Sequence, residues 1–421
     1  MRNTRLRSHD IFVSGRFRRA SITTLSNGAL SGVRALVSFV SVSMLVQYLG
    51  RESFGLCAAI TGMASWLAIA QGGIGQSLRN DIIRKPESAG ALLSEAFAFL
   101  LIIVLTAGGL LTATVRFLPW KMLLNDPAFH QLPLIVVSLW IVLLTALFSL
   151  VRAVYSALQC EFKLVPAMLG GVLISFGLVV FGIHRGWSTT AVISASLIAN
   201  LAGLTLGLFR IPVKLTWPDR LYRAGLWFFV IEACTVLIFE ADIFLVNLLL
   251  GPSQAAVFAL HAQLFVYVQA GIALLVSPYW AAFGDAWNAG ESRWLSTGVS
   301  RLVTATAILS CAGAGVLFAV GGPLMNRWSH GQVEWNPFLG FLIGINVVIQ
   351  GVTGVYATVL GALGIARDPA RIVVLQALLN IGVCIWSIRR FGVIGAALGS
   401  LVTYTLTSGL YLPFKVRQVT A

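Results

Sequence analysis

The stretch ITTLSNGALSGVRALVSFVSVSMLVQY, residues 22–48, decides the fold class. It exceeds the roughly 20 apolar residues a helix needs to cross a bilayer, and its one charge, Arg34, falls near its middle. At about 1.5 Å of rise per residue, Arg34 sits roughly 18 Å from either end, too deep for its side chain to reach the water at a membrane surface. The guanidinium must therefore face protein or a water-filled space. Thr24, Asn27, Ser31, Arg34, Ser38 and Ser41 recur at steps of three and four, which draws one polar stripe along an otherwise apolar helix.

The rest of the 421 residues follow the same pattern. The chain is 58% hydrophobic and only 10% charged, with a mean hydropathy of +0.88, against about 25% charge in a soluble domain. Apolar runs at 22–48, 54–78, 89–112, 133–155, 165–184, 189–209, 224–250, 256–282, 297–321, 336–363, 372–388 and 393–414 predict an all-α polytopic membrane protein of about twelve spans. These divide into a basic N-terminal segment (1–21), a six-helix bundle (22–209), a basic linker (210–223), a second six-helix bundle (224–414) and a short tail (415–421). Two echoes about 200 residues apart support two halves. Leu49-Gly50-Arg51 after the first span matches Leu250-Gly251-Pro252 after the seventh, and Gly186-Trp187 to Ala191 matches Gly392 to Ala397 before the last. Six spans per half make the halves parallel in topology, a plan shared by transporters that work around a central site.

The net charge of +14, from 29 Lys and Arg against 15 Asp and Glu, reads as orientation rather than as nucleic-acid binding. With the N-terminus in the cytoplasm, the inner segments hold about three times as many Lys and Arg as the outer loops. Both termini are then expected in the cytoplasm.

Candidate chemistry is confined to polar groups at membrane depth. The sequence holds no phosphate-binding GxxxxGK[ST] loop and no His or Cys cluster with metal-ligand spacing, so neither a cofactor nor a metal is expected. Cys57, Cys160, Cys234, Cys311 and Cys384 read as packing residues. The outer loops are too short for an enzyme's catalytic domain, a membrane glycosyl polymerase or ligase included. Two readings of Arg34 stand: with Asn27, Ser31 and Ser38 it lines a hydrated cavity and binds substrate, or it pairs with a carboxylate of a neighbouring helix as bundle glue. The seventh span carries Glu232, Glu240 and Asp242. At 3.6 residues per turn Glu232 and Asp242 share a face with Thr235, while Glu240 projects nearly opposite Asp242. One face is expected to line the cavity and the other to pack in its own bundle. These carboxylates either bind a coupling proton or sodium ion or serve as structural partners of Arg34 and Arg152. His261 on the eighth span is read as a hydrogen-bonded core residue or a proton relay, and Pro278 as a kink.

A further set of features occurs in order along the chain. Tyr48-Leu49-Gly50 precedes Phe54-Gly55; Gly72-Gly73-Ile74-Gly75-Gln76-Ser77-Leu78 closes the second span; Ala241-Asp242 precedes Leu250-Gly251; Pro278 is followed by Ala281 and Asp285-Ala286; and the Gly392 to Gly395 turn precedes the last span. In this the chain resembles the polysaccharide and O-antigen flippase branch of the multidrug/oligosaccharidyl-lipid/polysaccharide exporter (MOP) superfamily. The resemblance implies a MATE-like fold in a bacterial inner membrane. It also implies a flippase that carries polyprenyl-pyrophosphate-linked oligosaccharide from the cytoplasmic to the periplasmic leaflet by alternating access, for exopolysaccharide or O-antigen synthesis. The implied partners are the lipid-linked sugar, membrane lipids and a coupling proton or sodium ion. Arg34 then suits the pyrophosphate, since a guanidinium offers planar, multidentate donors. Outward movement of an anionic head group runs with an inside-negative potential, worth about 2.3 kcal/mol per charge per 100 mV. The competing expectation is a cation-coupled multidrug exporter of the same superfamily, with the carboxylates as substrate partners.

Overall fold

A computed structural model describes residues 4–65, 74–84, 86–124, 132–158, 160–187 and 226–420. The described residues are almost wholly helical and contain no strand. In chain order the helices are α1 (Thr4–Ser65), α2 (Ile74–Arg84), α3 (Ala89–Thr114), α4 (Trp120–Leu123), α5 (Leu132–Ala157), α6 (Val165–His184), α7 (Leu226–Leu250), α8 (Pro252–Val276), α9 (Tyr279–Asn288), α10 (Ser292–Trp328), α11 (Pro337–Ala362), α12 (Arg367–Phe391), α13 (Val393–Tyr404) and α14 (Leu410–Thr420). Nine stretches among them are long and apolar enough to cross a membrane. The expected sixth span and basic linker lie outside the described residues.

Helix ends follow local chemistry. Asn336 caps α11, its side chain accepting from the Phe338 and Leu339 N–H groups at 3.1 Å, with Pro337 in the first turn. Ser277 and Pro278 break the expected eighth span into α8 and α9, because proline supplies no N–H to continue the ladder. A five-residue π-turn, Thr405–Gly409, joins α13 to α14. The helix expected to begin near residue 22 instead runs back to Thr4.

Two equivalent turns organise the molecule. α1 bends at Gly50 (φ 77°, ψ 167°), and α7 passes into α8 through Gly251 (φ 89°, ψ 169°). Both lie in a region that only glycine enters freely. The continuations cross closely: a Cβ on Gly55 would lie 1.9 Å from the Pro252 carbonyl oxygen and 2.9 Å from the Ala256 nitrogen. Gly55 and Ala256 are each five residues past their glycine turn, so the crossing joins equivalent positions.

Apolar side chains fill two large cores. One draws on residues between Leu30 and Met168, and the other on residues from Ala241 to Val416 together with Val46 of α1. α1 packs against α5 and α6 on one side and α7 and α8 on the other. This places α1, with its polar stripe, at the seam between the cores.

Candidate functional site

A cavity of about 670 Å³ opens along that seam, walled by α1, α6, α7, α8, α11 and α13. α1 contributes Val37 and Ser41 and, beyond its bend, Thr61 and Gly62. α7 contributes Glu240 and Asp242, and α8 and α11 contribute Gln263, Gln269, Asn346 and Gln350. No Lys or Arg is among the described residues of the wall.

Contacts tie α1 to its neighbours along the cavity. Arg51 Nε donates to the Ser253 carbonyl at 3.2 Å, and Tyr48 Oη donates to the Trp187 carbonyl at 2.7 Å. Trp328 stacks on Phe39 with centroids 5.0 Å apart and donates Nε1 to the Phe39 carbonyl at 2.7 Å. Ser43 Oγ returns a hydrogen bond to the Trp328 carbonyl at 2.7 Å. α1 is thereby latched to the start of α8 and the end of α10.

Of the three seventh-span carboxylates, the structure brings two to the cavity. Asp242 is buried and accepts from Ser400 Oγ at 2.5 Å and from Cys384 Sγ at 3.5 Å. Asn380 Oδ1 adjoins this pair, taking Thr403 Oγ1 at 2.7 Å with Ser400 Oγ at 3.3 Å. The result is a compact oxygen-rich cluster from α7, α12 and α13, and no described Lys or Arg forms an ion pair with Asp242. Glu240 borders the same cavity, 3.4 Å from where a Cβ on Gly62 would lie. The expectation of one cavity face and one packing face on α7 is thus corrected: Glu240 and Asp242, nearly opposite on the helix, both reach the cavity because α7 stands at the seam and the space wraps around it. Glu232, expected to share the Asp242 face, is not in the wall.

Arg34 is likewise outside the wall but continues it. Ser41 lies two turns further along the same face of α1, about 10 Å away, and Val37 one turn away. Around Arg34 the helices gather more charge than its own stripe. Arg152 of α5 is within electrostatic range of Arg34, and Arg79 of α2 is within range of Arg152 and Glu161. Glu161 pairs with Arg152 Nε at 3.7 Å and accepts from Asn27 Nδ2. Arg79 Nε is buried without a hydrogen-bond partner among the described residues. Glu161 thus serves both Arg79 and Arg152, and Arg34 faces the like charge of Arg152. Asn27 serves this cluster, and Ser38 Oγ accepts from Tyr267 Oη of α8 at 3.4 Å. Ser31 is not in the cavity wall.

His261 resolves to a packing role. Its Nδ1 bonds the Val257 carbonyl at 2.7 Å, its Nε2 accepts from the Asn336 N–H at 3.0 Å, and its ring stacks on Trp335 at 4.9 Å. Both nitrogens are occupied, so the ring has no free site for relaying a proton. Sequence reasoning missed Arg79, which sits among Arg84 and Lys85 and reads there as an orientation charge. It also missed the amides of α8 and α11, which carry no charge to mark them.

No family model matches the chain, and no curated protein matches it. Solved structures do. The chain is similar to an outward-facing multidrug resistance MATE family transporter of the MOP superfamily, with a TM-score of 0.69 at 14% identity over 95% of each chain. It is also similar to a MATE transporter in complex with MaL6, with a TM-score of 0.68 at 12% identity over 94% of this chain and 96% of the other. A third is a MOP superfamily transporter from Pyrococcus furiosus, described as having a binding pocket of reversed polarity, with a TM-score of 0.67 at 12% identity over 96% of both chains. At such identity the likeness is one of architecture, and over nearly its full length this chain has the fold of the MOP superfamily transporters.

Proposed function

We propose that the protein is an alternating-access membrane transporter that moves polyprenyl-pyrophosphate-linked oligosaccharide from the cytoplasmic to the periplasmic leaflet. The observation that carries this reading is the arginine cluster of Arg34, Arg79 and Arg152, which continues the α1 wall of the cavity and has Glu161 as its acidic partner among the described residues. Clustered guanidiniums beside the cavity suit a pyrophosphate, whose oxygens take their forked donors. The cavity beyond, with the amides of α8 and α11 in its wall, would take the sugar. The Asp242 cluster supplies the coupling step: a proton or sodium ion bound there between Ser400 and Asn380 would favour one arrangement of α7, α12 and α13 over another.

A second reading has its own support. The wall itself carries Glu240 and Asp242 and no described Lys or Arg, and two of the three compared structures are MATE transporters, one of them described as a multidrug resistance protein. Both facts suit a cation-coupled exporter of amphipathic organic cations, with the carboxylates as substrate partners.

One experiment separates the two. In vesicles reconstituted with the full chain, movement of a labelled polyprenyl-pyrophosphate sugar that falls at least about tenfold in Arg34→Ala supports the flippase. Ethidium transport that requires Glu240 and survives Arg34→Ala supports the exporter and overturns the flippase.

A further inference from the structure

The cavity holds a feature that neither the arginines nor the carboxylates explain. Gln269 of α8 donates Nε2 to Gln350 Oε1 of α11 at 2.7 Å, and Gln350 donates Nε2 to Asn346 Oδ1 at 3.2 Å. All three line the cavity. Their spacing is helical: Asn346 and Gln350 are one turn apart on α11, and Gln263 and Gln269 fall on the cavity face of α8. Amides in a membrane interior are costly unless their hydrogen bonds are met. The chain of three uses two of the six amide N–H groups present and two of the three carbonyls. Gln269 Oε1 and Asn346 Nδ2, the two amide atoms at the ends of the chain that it leaves without a hydrogen bond, are not among the buried unpartnered atoms. Both residues line the cavity, so this free acceptor and this free donor are open to it.

We infer that this amide ladder is the site that recognises the uncharged sugar of the transported lipid, an inference that rests on the flippase reading above. A sugar hydroxyl both donates and accepts, and so does a primary amide. A pyrophosphate would call for cations and an organic cation for carboxylates, so a ladder of neutral amides matches neither end of the charge scale. Half-buried Tyr404 on α13 borders the same space and would offer the apolar face of its ring to the C–H side of a pyranose. The ladder pre-organises the site, because each amide is already oriented by the next. The ladder and the arginine cluster would then divide the labour, with sugar identity read by α8 and α11 and the shared pyrophosphate held from α1, α2 and α5.

The test uses the full chain in nanodiscs and two probes, undecaprenyl pyrophosphate and the same lipid bearing one N-acetylhexosamine. The sugar should tighten binding to the native protein about tenfold, the worth of one or two well-placed hydrogen bonds. Combined Gln269→Met and Gln350→Met, which keep side-chain length and remove the amides, should reduce that gain to less than about twofold while leaving affinity for the bare lipid intact. The bare lipid thereby reports that the variant is folded. Equal binding of the two lipids by the native protein, or a sugar gain that survives in the double variant, overturns the ladder's role and leaves the flippase reading standing. Failure of the native protein to bind either lipid overturns the flippase reading and this inference with it.

Discussion

Gly55 of α1 lies directly against Pro252 of α8, so close that a single added methyl group would sit 1.9 Å from the proline carbonyl oxygen. The obstacle is backbone, which cannot rotate aside as a side chain would. The close crossing of α1 and α8 depends on the absence of a side chain at residue 55.

Gly55→Ala should therefore bias the protein toward a state open at the Gly50 end. Spin labels at Glu52→Cys and Gln254→Cys, in a background without the native cysteines, should show a longer-distance population that the Gly55 protein lacks. Overpacking of this kind costs about 1–3 kcal/mol, enough to redistribute two states of similar energy. An unchanged distance distribution would show that the crossing is not the gate.

Arg34→Ala should lower transport of an anionic lipid head group by at least about tenfold while leaving the amount of protein in the membrane unchanged, and Arg34→Lys should restore only part of it. Lysine keeps the charge but loses the planar fork. Arg79→Ala should show the same loss, since its buried Nε lacks a protein partner among the described residues. Full transport by both alanine variants would remove the cluster from the substrate path.

Asp242→Asn should abolish the dependence of transport on a proton or sodium gradient, and Ser400→Ala should weaken it, because Ser400 donates to the Asp242 carboxylate at 2.5 Å. Loss of that hydrogen bond is expected to shift the half-saturating concentration of the coupling ion by about tenfold. Glu232→Gln should leave the dependence as it is, since Glu232 is not part of the cavity wall. Flux measured in vesicles at fixed potential with varied pH or sodium checks all three. A gradient dependence that survives Asp242→Asn would place the carboxylate in a structural role.

His261→Ala should destabilise the protein by about 1–3 kcal/mol, since it leaves the half-buried Asn336 N–H without its acceptor and empties a buried ring site. Thermal unfolding in detergent should show the loss, while the pH profile of transport stays that of the native chain. A shifted profile would restore the relay that the occupied nitrogens argue against.

Much of the fold was legible because a membrane helix is specified locally. The expected fifth span, 165–184, coincides with α6, and the expected third and fourth spans differ from α3 and α5 by no more than two residues at either end. A hydrocarbon environment demands a long apolar run and complete intrahelical hydrogen bonding, and both can be counted along the chain. The glycine turns at Gly50 and Gly251 were legible as a repeated Leu-Gly pair. Their matching positive φ angles show that the repeat is one of conformation as well as letters.

Run length and periodicity alone set the class of protein, the polar stripe of α1 and the presence of three acids on one helix. Which of those groups meet was settled by packing. Periodicity ranks the faces of a single helix, but α7 stands between two cores, so residues on opposite faces border one cavity and a wheel drawn for one partner misplaces Glu240. Arg79 joins Arg152 and Glu161 through packing of α2 on α5, and Gln269 meets Gln350 across 81 residues of chain. Hydrophobic spacing fixes where a helix runs. Which polar groups share a space depends on how helices pack side by side, and that is a property of neighbours that no single helix carries.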